Sequence, residues 1–102
     1  MKEKIAITAI ASISPLGNSL GEVWENYQNN DHCFSQQWFN DKKAWVACLP
    51  EHLKSKVDVL RTSDTKYKKL DDSVLFAIHS ARNAICIAGW QPADNFGINI
   101  GS

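Results

Sequence analysis

Three cysteines, Cys33, Cys48 and Cys86, are the first residues to weigh, because a thiolate is both a nucleophile and a metal ligand. They form an odd set with no CxxC pair, and no histidine stands at a spacing that would complete a zinc site. A disulfide framework is therefore not expected, and the thiols read as reduced. Cys86 falls near the end of a strongly periodic apolar stretch. The negative end of a helix raises a thiol pKa, so Cys86 reads as a small packing residue and not a nucleophile. Cys33 and Cys48 lack any recognisable strand-to-helix elbow. His32 and His52 lie in polar stretches, and His79 falls on the flank opposite an alanine-rich stripe, which reads as a boundary position. Asp71 and Asp72 are adjacent acids at the start of that stretch. They suit a helix N-terminus better than an acid/base pair. The glycines between Gly97 and Gly101 are followed by no Lys-Ser/Thr, so they make no phosphate loop. The residue types thus point to no catalytic group, no metal site and no cofactor.

Charge is more informative. Over the 102 residues, eleven Lys plus Arg balance eleven Asp plus Glu. That balance supplies no global field toward nucleic acid or an anionic membrane. Between Lys54 and Lys69, however, six cations (Lys54, Lys56, Arg61, Lys66, Lys68, Lys69) meet only Asp58 and Asp64. This local excess is either a solvated linker or a docking surface for something acidic.

The elements that would position these residues follow from periodicity. With 44% hydrophobic residues and ten aromatics in 102 residues, the chain has material for a single globular domain. Lys2 and Lys4 ahead of the apolar run from Ile5 to Ile13, with Ala9 and Ala11, resemble a secretory leader. The run is short, interrupted by Thr8 and Ser12, and rich in β-branched residues, so it reads instead as a buried strand. Ile5, Ile7 and Ile13 then fall on one face, and Ala6, Thr8 and Ile10 on the other. No stretch is long enough to span a membrane, and the expected compartment is the cytoplasm.

Ser14-Pro15-Leu16-Gly17 breaks the strand, and Ser19 with Glu22 spells a capping box for a short helix carrying Leu20, Val23, Trp24 and Tyr27. Asn29-Asn30-Asp31 ends it. From His32 to Leu60 no period is sustained. Trp45 to Leu49 suits a short strand, and Glu51 to Leu60 a helical turn. Leu70, Val74, Ala77, Ile78, Ala81, Ala84, Ile85 and Ala88 then trace one face of a helix about five turns long. Small residues let such a helix lie close on its neighbour, so deep burial is expected. Gly89 closes it and Pro92 prevents its restart. Phe96 to Gly101 alternates large and small residues as a second strand would. The order β, α, irregular, α, β suits an α/β layer, but two strands alone make no independent sheet, which points to an incomplete fold.

Three segments carry a family resemblance. The string ITAIASISPLGNSLGEVWENY is similar to the opening of β-ketoacyl-acyl carrier protein synthases, where a first strand runs into a Ser-Pro-Leu-Gly turn and a helix. KKLDDSVLFAIHSARNAICIAGW resembles the family's long helix ending in Ala-Gly, and NFGINIGS resembles the strand after it. The segments occur in family order. The resemblance implies an α/β, thiolase-like fold of α-β-α-β-α layers, of which residues 1–102 would be the N-terminal portion. It implies decarboxylative Claisen condensation of acyl and malonyl thioesters in the whole protein. The family's nucleophilic Cys, two His and Lys lie beyond this segment, so this chain alone would hold none of the catalytic residues. It further implies an acyl carrier protein as partner, the remainder of the fold as a second partner, and a homo- or heterodimer. Lys68 and Lys69, with Lys66 beside them, match the family's basic positions at the helix start, where the carrier docks. Ala9 and Ala11 replace glycines usual in the family, and a glycine is common near Cys48. These departures leave open a non-catalytic partner subunit of the chain-length-factor kind. Outside the family, a self-sufficient small α/β interaction domain is the rival reading.

Overall fold

A computed structural model describes residues 3–101. Met1, Lys2 and Ser102, part of the leader-like start and the Gly-Ser ending noted above, lie outside the described residues. Five elements follow in order: α1 (Leu20–Gln28), β1 (Phe34–Phe39), β2 (Lys42–Ala47), α2 (Glu51–Ser63) and α3 (Asp72–Ala88), with a single 3-10 turn, Thr65–Tyr67, between the last two. The fold is mixed helix and sheet, and its one sheet is the antiparallel pair β1-β2.

Local chemistry sets the helix ends. Ser19, in extended conformation, accepts the backbone N–H of Glu22 through its hydroxyl, which satisfies one orphan donor of α1. Glu22 makes only half of the expected box. Its carboxylate goes to His52 of α2 at 2.9 Å. Asn29 ends α1. Pro50 begins α2 because it lacks only an N–H that the first turn could not use, and its carbonyl receives Leu53 and Lys54 at 3.0 Å. Gly89 closes α3 at φ 73°, the left-handed region that a residue without Cβ enters freely, and its N–H reaches the Ile85 and Cys86 carbonyls.

The core is small and lies between α2 and α3. Leu53, Val57 and Leu60 recur at three and four along α2, and with Leu75 of α3 they are the buried hydrophobic residues. Ile13, Leu49, Tyr67, Leu70, Phe76 and Ile78 pack around them, half-buried. The radius of gyration is 16.8 Å, against about 13 Å for a compact chain of this length. The accessible surface of 8684 Å² likewise exceeds the roughly 5,800 Å² of a closed monomer of this mass.

Several expectations are corrected here. The run from Ile5 to Ile13 forms no strand, and only an isolated bridge joins Ser14 to Gly17. Phe96 to Gly101 is likewise no strand. Neither run takes part in a sheet among the described residues. The segment read as irregular holds a full hairpin and a helix of 13 residues. Helix α3 has about the expected length and the expected stop, and turns only part of the expected face inward. Leu70 and Ile78 pack on the core and Ala84, Ile85 and Ala88 are half-buried, while Val74, Ala77 and Ala81 are exposed. Leu75, outside the expected face, is the fully buried residue of the helix.

Candidate functional site

The cationic segment is the part of the sequence reading that the structure assembles most clearly. Asp64 caps the 3-10 turn by accepting the Lys66 N–H at 3.0 Å, and the Lys66 ammonium stands 3.8 Å from the same carboxylate. Arg61 is withdrawn from the surface set. It donates to the Leu70 carbonyl at 2.9 Å and pairs with Asp72, so it ties the turn to the start of α3. Lys54 is paired with Glu51 at 3.2 Å. Lys66, Lys68 and Lys69 are exposed, and among the described residues Lys68 and Lys69 have no ion-pair partner.

Sequence reasoning missed one cation of this surface. Arg82, from the middle of α3, lies 5.8 Å from the centroid of the Tyr67 ring and donates to its hydroxyl at 3.2 Å. Tyr67 sits between Lys66 and Lys68, so the patch draws on two elements. No local signal marks Arg82. Only knowing which face of α3 meets the turn would place it there.

Beside this turn, an open groove of about 520 Å³ runs between the Ser14-Pro15 turn, the end of β2 and α2, with Lys54, Asp58 and Asp72 at its rim and Val57 and Phe76 in its floor. A second, of about 570 Å³, lies between Pro15, Tyr27, His32 and Phe34. Cys48 lines the first and Cys33 the second. Neither thiol meets a histidine. Cys33 donates to the Pro15 carbonyl at 3.9 Å, and Cys48 accepts from the Gln37 amide at 3.1 Å. Cys86 is exposed on α3.

His79 is not the free boundary residue expected. Its Nε2 lies 3.2 Å from the side-chain amide nitrogens of both Asn18 and Asn83. An amide nitrogen can only donate, so in this arrangement Nε2 accepts, the role open to it in the neutral tautomer that carries its proton on Nδ1. Burial first, and the Lys56 charge second, hold the His79 pKa below 6.5. Asn26 of α1 donates to the Leu16 carbonyl at 2.7 Å. These bonds join the Ser14–Gly17 turn to α1 and to α3. Asp71 is the N-cap residue of α3 and Asp72 its first-turn acid, both at the helix N-terminus as read from sequence.

No protein-family model, curated protein or solved structure matches the chain. Among the described residues no group of three or more His, Cys, Asp or Glu is placed to hold a metal ion. No helix there is long and apolar enough to cross a membrane.

Proposed function

We propose that this chain is the N-terminal part of a cytoplasmic condensing enzyme of the β-ketoacyl-acyl carrier protein synthase type, whose thiolase-like layers are completed by further chain. One observation carries the reading. The two segments that resemble core strands of that family belong to no sheet and are bare, with Ile5 93%, Ile7 80%, Ile98 77% and Ile100 74% exposed. Four β-branched side chains on bare strands have no use in water, and each is worth roughly 1.5–3 kcal/mol once covered. A sheet inserted between them would also satisfy their backbone. The same sheet would cover the Ala77 and Ala81 face of α3. The contact of Asn18 with His79 supports the reading too, since it joins the first resembling segment to the second.

In this reading the chain supplies scaffold and a carrier-docking rim at Lys66, Lys68 and Lys69, joined by Arg82. Acyl transfer to a cysteine, decarboxylation of malonyl thioester and condensation fall to residues of the completing chain. The test is the reading frame beyond Ser102, expressed as a whole. The expected result is a cysteine at a strand-to-helix elbow followed by two histidine motifs, and condensation of acyl and malonyl carrier thioesters by the product. A completing chain with no such cysteine would make this the non-catalytic partner subunit. A sharp two-state melt of the 102-residue monomer, with slow amide exchange from Ile5 to Ile13, would overturn both readings in favour of a self-sufficient domain.

A further inference from the structure

The β1–β2 hairpin leaves one edge with an unusual pattern. Its two-residue turn, Asn40-Asp41, carries a positive φ of 58° at the first position and is closed by the pair Phe39↔Lys42. The pair closing such a turn exchanges both of its backbone hydrogen bonds, and bonded pairs then alternate with unbonded ones. Ser35↔Val46, Gln37↔Ala44 and Phe39↔Lys42 are the bonded pairs in this register. The N–H and C=O of Phe34, Gln36 and Trp38 therefore point outward, away from β2. Their side chains share one face of the hairpin with Trp45, and Phe34, Trp38 and Trp45 are all more than half exposed.

We infer that the outer edge of β1 is a homodimer interface, on which a second copy of this chain adds its own β1 antiparallel about a twofold axis through Gln36. In that register Gln36 opposes Gln36 of the second copy, and Phe34 opposes Trp38 of the second copy, twice. The Gln36 N–H and C=O pair across the axis, and the Trp38 N–H donates to the Phe34 carbonyl of the second copy, twice. The Phe34 N–H, which donates to His32 Nδ1 at 3.2 Å, exchanges that partner for the Trp38 carbonyl of the second copy. The aromatic side chains form cross-strand pairs on one continuous face. The result is a four-stranded sheet, which passes the size below which a hairpin is marginal in water. Charge selects this edge over the other one. The β1 sequence FSQQWF has no charge, no proline and no glycine, whereas β2 opens with Lys42 and Lys43, the residues that block edge pairing. Lys43 does not obstruct the β1 edge. Its ammonium lies 5.2 Å from the centroid of the Trp38 ring. The interface stands on the hairpin alone and is independent of the condensing-enzyme reading.

Sedimentation velocity on the 102-residue chain over a concentration series tests it, with the F34K, W38E and combined F34K/W38E variants. The wild type should reach a dimer and stop there. Each single substitution breaks two symmetry-related aromatic pairs and should weaken dimerisation about ten-fold or more. The combined variant sets lysine against glutamate across the axis, twice, and should recover most of the loss. A wild-type monomer at every concentration overturns the interface. So does association that the single substitutions leave unchanged, or a combined variant no better than the singles.

Discussion

Asn18 and His79 are 61 residues apart in the chain and meet at 3.2 Å, which makes the imidazole the point where the Ser14–Gly17 turn is fastened to α3. The ring can accept there only while neutral. Protonation would place N–H against N–H at Nε2 and oblige the Asn18 and Asn83 amides to turn over.

This gives a pH dependence of definite sign. Burial and Lys56 lower the His79 pKa below its model-peptide value of 6.5, so the unfolded chain takes up the proton first as pH falls. The stabilisation from neutral His79 is complete above 6.5 and is lost as pH falls through that value toward the lower folded pKa. His79→Gln keeps an acceptor without a titration. Thermal melts of both proteins across this range should show the wild type losing its advantage over His79→Gln on acidification. Two parallel curves would mean that His79 is not linked to folding. His32 and His52 are present in both proteins, so their contribution cancels in the difference.

The same turn depends on Gly17. Its φ of 135° lies where L side chains are strained, and a Cβ there would come within 2.6 Å of the Glu22 side chain, itself held by His52. Gly17→Ala should therefore destabilise the chain by about 1–3 kcal/mol, the range for a strained backbone position. Gly21→Ala is the matched control, since it lies on α1 with open space around its Cα, and there alanine is favoured by roughly 1 kcal/mol. Urea titrations should move the two midpoints in opposite directions. A Gly17→Ala protein as stable as the wild type would show that the turn relaxes without cost.

What the sequence made legible was local. The Ser19 cap, the Asn29 stop of α1 and the span of α3 up to Gly89 depend on chemistry within a few residues, and each stands where expected. The hairpin was hidden for a local reason too. Its Asn-Asp turn lacks the glycine that marks most two-residue turns, and β1, FSQQWF, has no alternation of apolar with polar residues. Long-range choices were not legible. Whether α3 buries Leu75 or its alanine stripe is decided by the Leu53–Val57–Leu60 ridge of α2, and the strands expected at Ile5–Ile13 and Phe96–Gly101 need a partner strand that no local pattern can supply. Arg82 was invisible for the same reason.

The carrier-docking rim proposed above, and with it the proposed completed enzyme, can be tested through its charge. Lys66, Lys68 and Lys69 sit on one turn, and Arg82 reaches them from α3 across the Tyr67 ring. Exposed pairs are worth only about 0.2–1 kcal/mol each, so a single Lys→Ala change in the completed enzyme should leave acyl carrier protein affinity nearly unaltered. Reversal of Lys66, Lys68 and Lys69 together to glutamate acts on the summed field, and should slow association well beyond the effect of any single change. Adding Arg82→Glu should slow it further. Stopped-flow association at low ionic strength separates these variants, and their differences should shrink as salt shortens the Debye length from about 30 Å at 0.01 M to about 8 Å at 0.15 M. A triple reversal that leaves the association rate unchanged at low salt would reduce the patch to a solvated surface, and an unchanged rate on adding Arg82→Glu would remove Arg82 from it.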